Sequence, residues 1–246
     1  MRPERAAGKG LQTVEDLGKR EQAKARRRSD IVRAARDLIR ETGETDLSMR
    51  TLAQRAGVSL STPYNLFGSK RAVVLAVLED ERDFAEGFRK LDSGNSIDRI
   101  FGAHDLAFSY YTSDPEFYRT LWRALLGTSG QDDTGLATPE RLAQTRAIWL
   151  GLVSNAVRDG YLANDIPADL IMQSMAHVTG GALLSWAVGS LSTSALTATV
   201  GVGYALCLKG SATPQGRELL QTQIEVYQSR LSEAGKQVNE RAPETM

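Results

Sequence analysis

Between Leu170 and Leu208 the chain runs for 39 residues without a single Asp, Glu, Lys or Arg. A helix that lacks charge on every side is buried on most sides, so this stretch must be wrapped by other protein surface. Nine Ser and Thr interrupt it, whereas a membrane span needs about 18 or more nearly pure apolar residues. Two helices are expected here, 167–189 and 193–209. Two such neighbours exceed what a small helical core requires, so an exposed apolar face and a second copy to cover it are expected. Gly181, Ser185 and Gly189 fall at i, i+4 and i+8, and Thr197, Gly201 and Ala205 repeat that spacing. Small side chains in one stripe let helix backbones approach closely. These six residues are the expected interface of a homodimer, a four-helix bundle about a two-fold axis; the alternative is close packing of the two helices within one chain.

The rest of the chain is helical in period as well. Ile31, Ala34, Ala35, Leu38 and Ile39 recur at helical spacing after Ser29, a good N-cap, and before Gly43, a good stop. Residues Glu15–Arg28 contain good helix formers but no clear apolar face, so the start could lie upstream; residues 1–24 are expected to be a mobile basic arm. Asp114-Pro115, Thr138-Pro139 and Thr213-Pro214 each set a capping side chain before a proline at the first helical position. Helices are expected near 48–56, 60–67, 70–90, 96–113, 115–126, 139–159 and 215–235, with 127–138 as the one long loop. The fold class is all-α.

Charge divides the chain. The 30 basic and 30 acidic residues cancel overall, but residues 1–80 hold 16 basic and 11 acidic, and the remainder 14 and 19. The first 28 residues alone carry nine basic and four acidic side chains and end in Arg26-Arg27-Arg28. Such arms seek polyanions; the plainer reading is a solvated tail. One cysteine excludes an internal disulfide, and the first 30 residues hold no apolar stretch of the signal-peptide kind. A cytoplasmic protein is expected.

Residues Met49–Gly68 carry the chemistry. Leu52, Ala53 and Ala56 form the inward face of one short helix, Gly57 can take the positive φ of a sharp turn, and Val58 plugs the corner. Ser59 is expected to cap a second short helix that turns Pro63, Leu66 and Phe67 inward. Leu60, Ser61, Thr62, Tyr64 and Asn65 then face out or along the flanks, a short uncharged face able to enter a major groove. An ordinary αα corner is the alternative.

The segment from Arg27 to about Leu78 resembles the DNA-binding domain of the tetracycline-repressor (TetR) family. The signature is carried by Leu52-Ala53-Gln54-Arg55-Ala56-Gly57-Val58-Ser59 and Thr62-Pro63-Tyr64-Asn65-Leu66-Phe67-Gly68-Ser69-Lys70. The resemblance implies phosphate contacts by Thr62, Tyr64 and Lys70, with Arg50, Thr51, Ser59, Leu60, Ser61 and Asn65 near bases or the backbone; Arg28, ending the basic run, joins the expected DNA-binding set. Leu60, Asn65 and Pro63 depart from the common pattern, so no operator sequence carries over. The expected organisation is the arm 1–24, a three-helix helix-turn-helix domain 25–72, and a helical effector-binding and dimerisation bundle 73–246.

Aromatic residues gather between 101 and 149, and the resemblance implies an effector within this middle bundle. Phe101, His104, Phe108, Tyr111, Trp122, Trp149 and Met175 are the candidate lining, although most side chains of this set read as core rather than pocket. His177 reads as a core or interface histidine and Cys207 as core packing. No catalytic motif is present, and two histidines with one cysteine make no convincing metal site, so neither an enzyme nor a cofactor is expected. The expected function is a repressor released from a pseudo-palindromic operator in double-stranded DNA by a small, largely apolar effector. The rivals are a DNA-binding dimer without an effector, and a ligand-binding helical protein that no longer binds DNA.

Overall fold

The apolar period of the sequence becomes a succession of helices in a computed structural model, which describes residues 14–44, 47–80, 87–88, 90–91, 94–127 and 139–241. They are α1 (Val14–Thr42), α2 (Met49–Arg55), α3 (Ser61–Phe67), α4 (Lys70–Asp80), α5 (Ser96–Ser113), α6 (Pro115–Gly127), α7 (Pro139–Arg158), α8 (Ala168–Ala187), α9 (Thr193–Lys209) and α10 (Pro214–Arg241). Among the described residues the only extended pairing is one isolated bridge, Leu162 to Ala212. The fold is all-α.

Local chemistry sets most helix starts where expected. Asp114 Oδ1 accepts the Phe117 N–H at 3.4 Å ahead of α6, and Thr213 Oγ1 accepts the Gly216 N–H at 3.2 Å ahead of α10. Ser192 caps α9 through the Ala195 N–H at 3.2 Å. Each hydroxyl or carboxylate satisfies an N–H that the first turn leaves without a partner. The expected cap Thr138 and loop residues 128–138 lie outside the described residues, as do 1–13 of the arm.

Two boundaries differ from expectation. α1 begins at Val14, so Ser29 is not a cap but an exposed mid-helix residue, and positions 14–24 are helix rather than a loose arm. Once the head nucleates the helix, adding good helix formers upstream costs little, with or without an apolar face. α10 likewise continues past residue 235, to Arg241.

The helices form a head and a body joined by α4. Ile31, Ala35 and Leu38 of α1 bury against Leu52 and Ala53 of α2 in the head. Six consecutive residues of α4, Val73–Leu78, are buried, which requires protein on every side: α1 and α3 on one flank, α6 on the other. A boundary between residues 72 and 73 therefore cuts a continuous helix that both halves share. In the body α9 is the central element, packed on α8, α10 and α5.

Candidate nucleic-acid interface and effector cleft

Ser48 starts α2 by accepting the Thr51 N–H at 3.3 Å, and Gly57 ends the corner with φ of 66°. The Val58 N–H returns to the Ala53 carbonyl at 3.0 Å, so the chain turns sharply just where Ala53 leaves room for α3 to cross. Pro63 is buried and Leu66 and Phe67 are half-buried against the head. Gly68, at φ of 78°, closes α3 by donating its N–H to the Tyr64 carbonyl at 2.8 Å. The inward set is therefore as expected.

The outward set is also as expected. Leu60 is 47% and Tyr64 50% exposed, and Arg50, Thr51, Ser59, Ser61 and Asn65 are exposed beside them. Thr62 is half-buried, as is Lys70 at the first turn of α4. Ser59 differs in role: its hydroxyl pairs with those of Thr62 at 2.8 Å and Ser61 at 3.1 Å, and no side chain caps α3. The three hydroxyls form a polar patch at the start of the helix.

Two further features complete this face. No acidic residue occurs from Leu47 to Leu78, while Arg50, Arg55, Lys70 and Arg71 do, so nothing on the motif itself repels phosphate. Arg55 also grips Glu41 of α1 through two 2.8 Å hydrogen bonds, a planar fork on a carboxylate. That partner holds the Glu41 carboxyl below its ordinary range. Arg28 is exposed, but Nη1 donates to the Leu66 carbonyl at 3.1 Å and the guanidinium lies 4.2 Å from the Phe67 ring centre. It ties α1 to the end of α3.

The candidate effector lining separates into two groups. Phe101, His104, Phe108, Tyr111 and Trp122 are all under a tenth exposed and packed ring on ring: Phe101 on Tyr227 at 5.7 Å between ring centres, His104 on Phe108 at 4.6 Å, Phe108 on Tyr111 at 5.6 Å, Tyr111 on Trp122 at 6.4 Å. They are core. His104 Nε2 donates to the Thr197 carbonyl at 2.9 Å instead of facing a ligand, and burial pushes its pKa down to about 4, so the ring is neutral.

Trp149 and Met175 do line a cleft of about 500 Å³ between α7 and α8, a volume suited to a drug-sized ligand. Met175 and Tyr204 form its buried floor, Trp149, Met172 and Thr179 its half-buried walls, and Arg146, Asp169 and Gln173 belong to its exposed rim. Tyr204 and Thr179 hydroxyls pair at 2.7 Å, and burial raises the tyrosine pKa to about 12, so the floor is uncharged. Periodicity had no means of finding Thr179 or Tyr204, because which faces of α8 and α9 look at α7 is a tertiary fact.

The small-residue stripes also divide. On α9, Gly201 and Ala205 are buried and Thr197 is half-buried with its carbonyl held by His104. A Cβ on Gly201 would meet the Tyr227 ring at 2.6 Å. Gly201 is spent on α10 of the same chain and the Thr197 carbonyl on His104 of α5, so the buried Gly201 and Ala205 offer a second copy no surface. On α8 the stripe faces outward: Gly181 is exposed and Ser185 half-exposed, beside Leu170 (51% exposed) and Leu184 (47%), while the exposed Val188 (61%) and Gly189, at φ of 87°, lie just past the helix end. His177 lies on this exposed face too, not in the core. Cys207 is half-buried.

Comparison places these features among known proteins. Residues 31–77 match the family model described as bacterial regulatory proteins, tetR family. No curated protein matches by sequence. TylP, a TetR regulator from Streptomyces fradiae, shares the fold with a TM-score of 0.56 at 19% identity, covering 84% of this chain and 98% of that one. The fatty acid degradation regulator FadR from Bacillus halodurans gives 0.55 at 19% identity over 74% and 94%. FadR from Thermus thermophilus, a TetR-family repressor in complex with lauroyl-CoA, gives 0.56 at 19% identity over 76% and 95%. Among the described residues no helix is long and apolar enough to cross a membrane. The head, residues 31–77, thus matches the DNA-binding domain of bacterial regulatory proteins of the tetR family, and the chain as a whole shares the fold of solved TetR regulators.

Proposed function

We propose that the protein is a homodimeric repressor that reads a pseudo-palindromic operator and releases it when a small amphiphilic effector fills the α7–α8 cleft. The carrying observation is the outward face of α3: Leu60, Ser61, Tyr64 and Asn65 stand exposed with no acidic neighbour in the motif. Tyr64 and Lys70 would hold phosphates, and Ser61 and Asn65 would select bases, each good contact being worth about 1–3 kcal/mol of discrimination. A two-fold dimer would set two such helices about 34–36 Å apart, one DNA turn. The exposed apolar side of α8, with Gly181 and Ser185 on it and Gly189 just past its end, is the surface that a second copy would cover.

Coupling between cleft and head would pass through α6. Arg123 Nε of α6 donates to the Ala187 carbonyl at the end of α8 at 2.7 Å, and Arg71 of α4 donates to the Leu125 carbonyl of α6. Arg40 of α1 pairs with Asp114, just before α6, at 3.2 Å. A ligand that spreads α7 from α8 would shift α8, then α6, then the buried α4, and with it the head. The effector must bind the DNA-incompetent arrangement better, since equal affinity for both would shift nothing. An uncharged floor with a charged rim suits an apolar body ending in a polar group. The lauroyl-CoA complex of the Thermus thermophilus relative is one such molecule in this fold. TetR-family regulators are in general not enzymes, and no catalytic role is proposed.

Gel shifts with the protein's own upstream region test the reading, followed by a compound panel scored for loss of the shift. A folded dimer that shifts no duplex at low salt would sink it.

A further inference from the structure

We infer that the first part of α1 is a second DNA-binding element, a rigid basic arm that grips the duplex backbone beside the site read by α3. This rests on the DNA-binding reading above and extends its footprint.

α1 continues well upstream of the residues it buries. From Gly18 to Ser29 every residue is exposed except the half-buried Ala23, so among the described residues this length of helix buries no face in its own chain, Arg28 at its end being the one that reaches α3. It carries Lys19, Arg20, Lys24, Arg26, Arg27 and Arg28 against Glu21. Lys24 reaches Glu21 at 4.0 Å, both side chains largely exposed, so the row faces solvent.

Register makes the arm directional. Arg20, Lys24 and Arg27 fall at i, i+4 and i+7, and the same stripe continues through Ile31 and Leu38, which bury against the head. Residues so spaced share one helix face, so the side of α1 that packs on α2–α4 becomes, upstream, a row of cations. Arg28, at the junction, sits on the Leu66 carbonyl and the Phe67 ring at the end of α3. The row therefore leaves the head beside the reading helix. At 1.5 Å per residue, Val14–Arg28 extends about 21 Å, the rise of about six base pairs at 3.4 Å each. An exposed cationic row of this length next to a duplex complements phosphate rather than bases, so its contribution is indifferent to sequence and steep in salt.

The test compares the full-length protein with the triple variant R20Q/K24Q/R27Q, glutamine being a comparable helix former. The probes are two duplexes carrying the site that the wild type selects from a random pool. One ends at the two half-sites and the other extends ten base pairs further on each side. The wild type is expected to bind the extended duplex at least about tenfold more tightly at 100 mM salt, and the variant to lose that gain while holding its affinity for the short duplex within about threefold. Up to six phosphate contacts in a dimer would be lost, making the salt slope on the extended duplex shallower by about 3 to 5. Unchanged helicity by circular dichroism and unchanged dimer mass show that the variant is folded. A variant that keeps the gain and the slope overturns the inference, as does equal loss on both duplexes. If the wild type binds neither duplex, the repressor reading falls first and the arm with it.

Discussion

Gly201→Ala separates the two uses that a stripe of small residues can have. An alanine Cβ at this position would meet three ring atoms of Tyr227 at 2.6–2.7 Å, about 1 Å inside the 3.5–4.0 Å optimum of carbon contact. The ring has little room to retreat. Its hydroxyl donates to Asp105 at 2.7 Å, and it packs on Phe101 and His104 at 5.7 and 5.5 Å between centres. Overpacking of this kind costs about 1–3 kcal/mol, and a ring held on three sides points to the upper end. Against it stands the gain of about 1 kcal/mol from replacing glycine by alanine inside a helix. The net is a loss of about 2 kcal/mol, a fall in Tm of roughly 4–8 °C for a chain of this size. Differential scanning calorimetry measures that fall, and sedimentation should show the dimer unchanged. Gly181→Ala is the counterpart. Nothing among the described residues lies within 4 Å of its added Cβ, so within one protomer the change should stabilise; if a partner helix crosses there, the dimer should weaken instead. Weakened dimerisation from Gly201→Ala with an undiminished Tm would refute the placement of α9 inside the protomer.

Acid should expose the buried His104. Its pKa is pushed down to about 4 mainly by burial, from 6.5, so on lowering the pH the unfolded chain takes up a proton that the folded one refuses, and stability falls between about pH 6.5 and 4. The loss approaches about 3 kcal/mol; urea titrations across that range should show the slope, and His104→Leu should flatten it. Tyr64→Ala should weaken binding to cognate and random duplexes alike, whereas Asn65→Ala should change base preference more than non-specific affinity; identical effects in a competition shift assay would remove those roles. Leu184→Glu, which puts a charge on the exposed face of α8, should divide the dimer by mass while leaving helicity intact. Ala176→Phe should fill the cleft and abolish effector-induced release while operator binding persists, read by fluorescence anisotropy of a labelled duplex.

The head was legible because its constraints are local. A turn needs Gly57 at φ of 66°, a crossing needs a residue as small as Ala53, and the six-residue spacing from Val58 to Tyr64 leaves one side of a short helix free. Proline after a capping residue fixes a helix start through its own missing N–H, wherever the helix later packs. Ser29 failed as a start for a related reason: a side chain that can cap does so only where no helical turn precedes it, and α1 already runs from Val14.

The body was less legible because burial has no direction in a sequence. A residue without charge on α9 and one on α8 look alike, yet Gly201 lies under Tyr227 and Gly181 faces open space. What separates them is the neighbour: α10 carries Tyr227 and Ile224 to cover α9, and nothing among the described residues covers Leu184 or Val188. The same holds for the aromatic set. Phe101, Phe108, Tyr111 and Trp122 occupy α5 and α6, where helices approach from every side, and their rings fill the space between. α7 has fewer neighbours over its first turns, where Leu142 is 52% exposed and Thr145 and Arg146 are also open. A cleft forms where a helix is covered on one side only, so the free wall of α7, rather than the density of rings, determines where a ligand can enter.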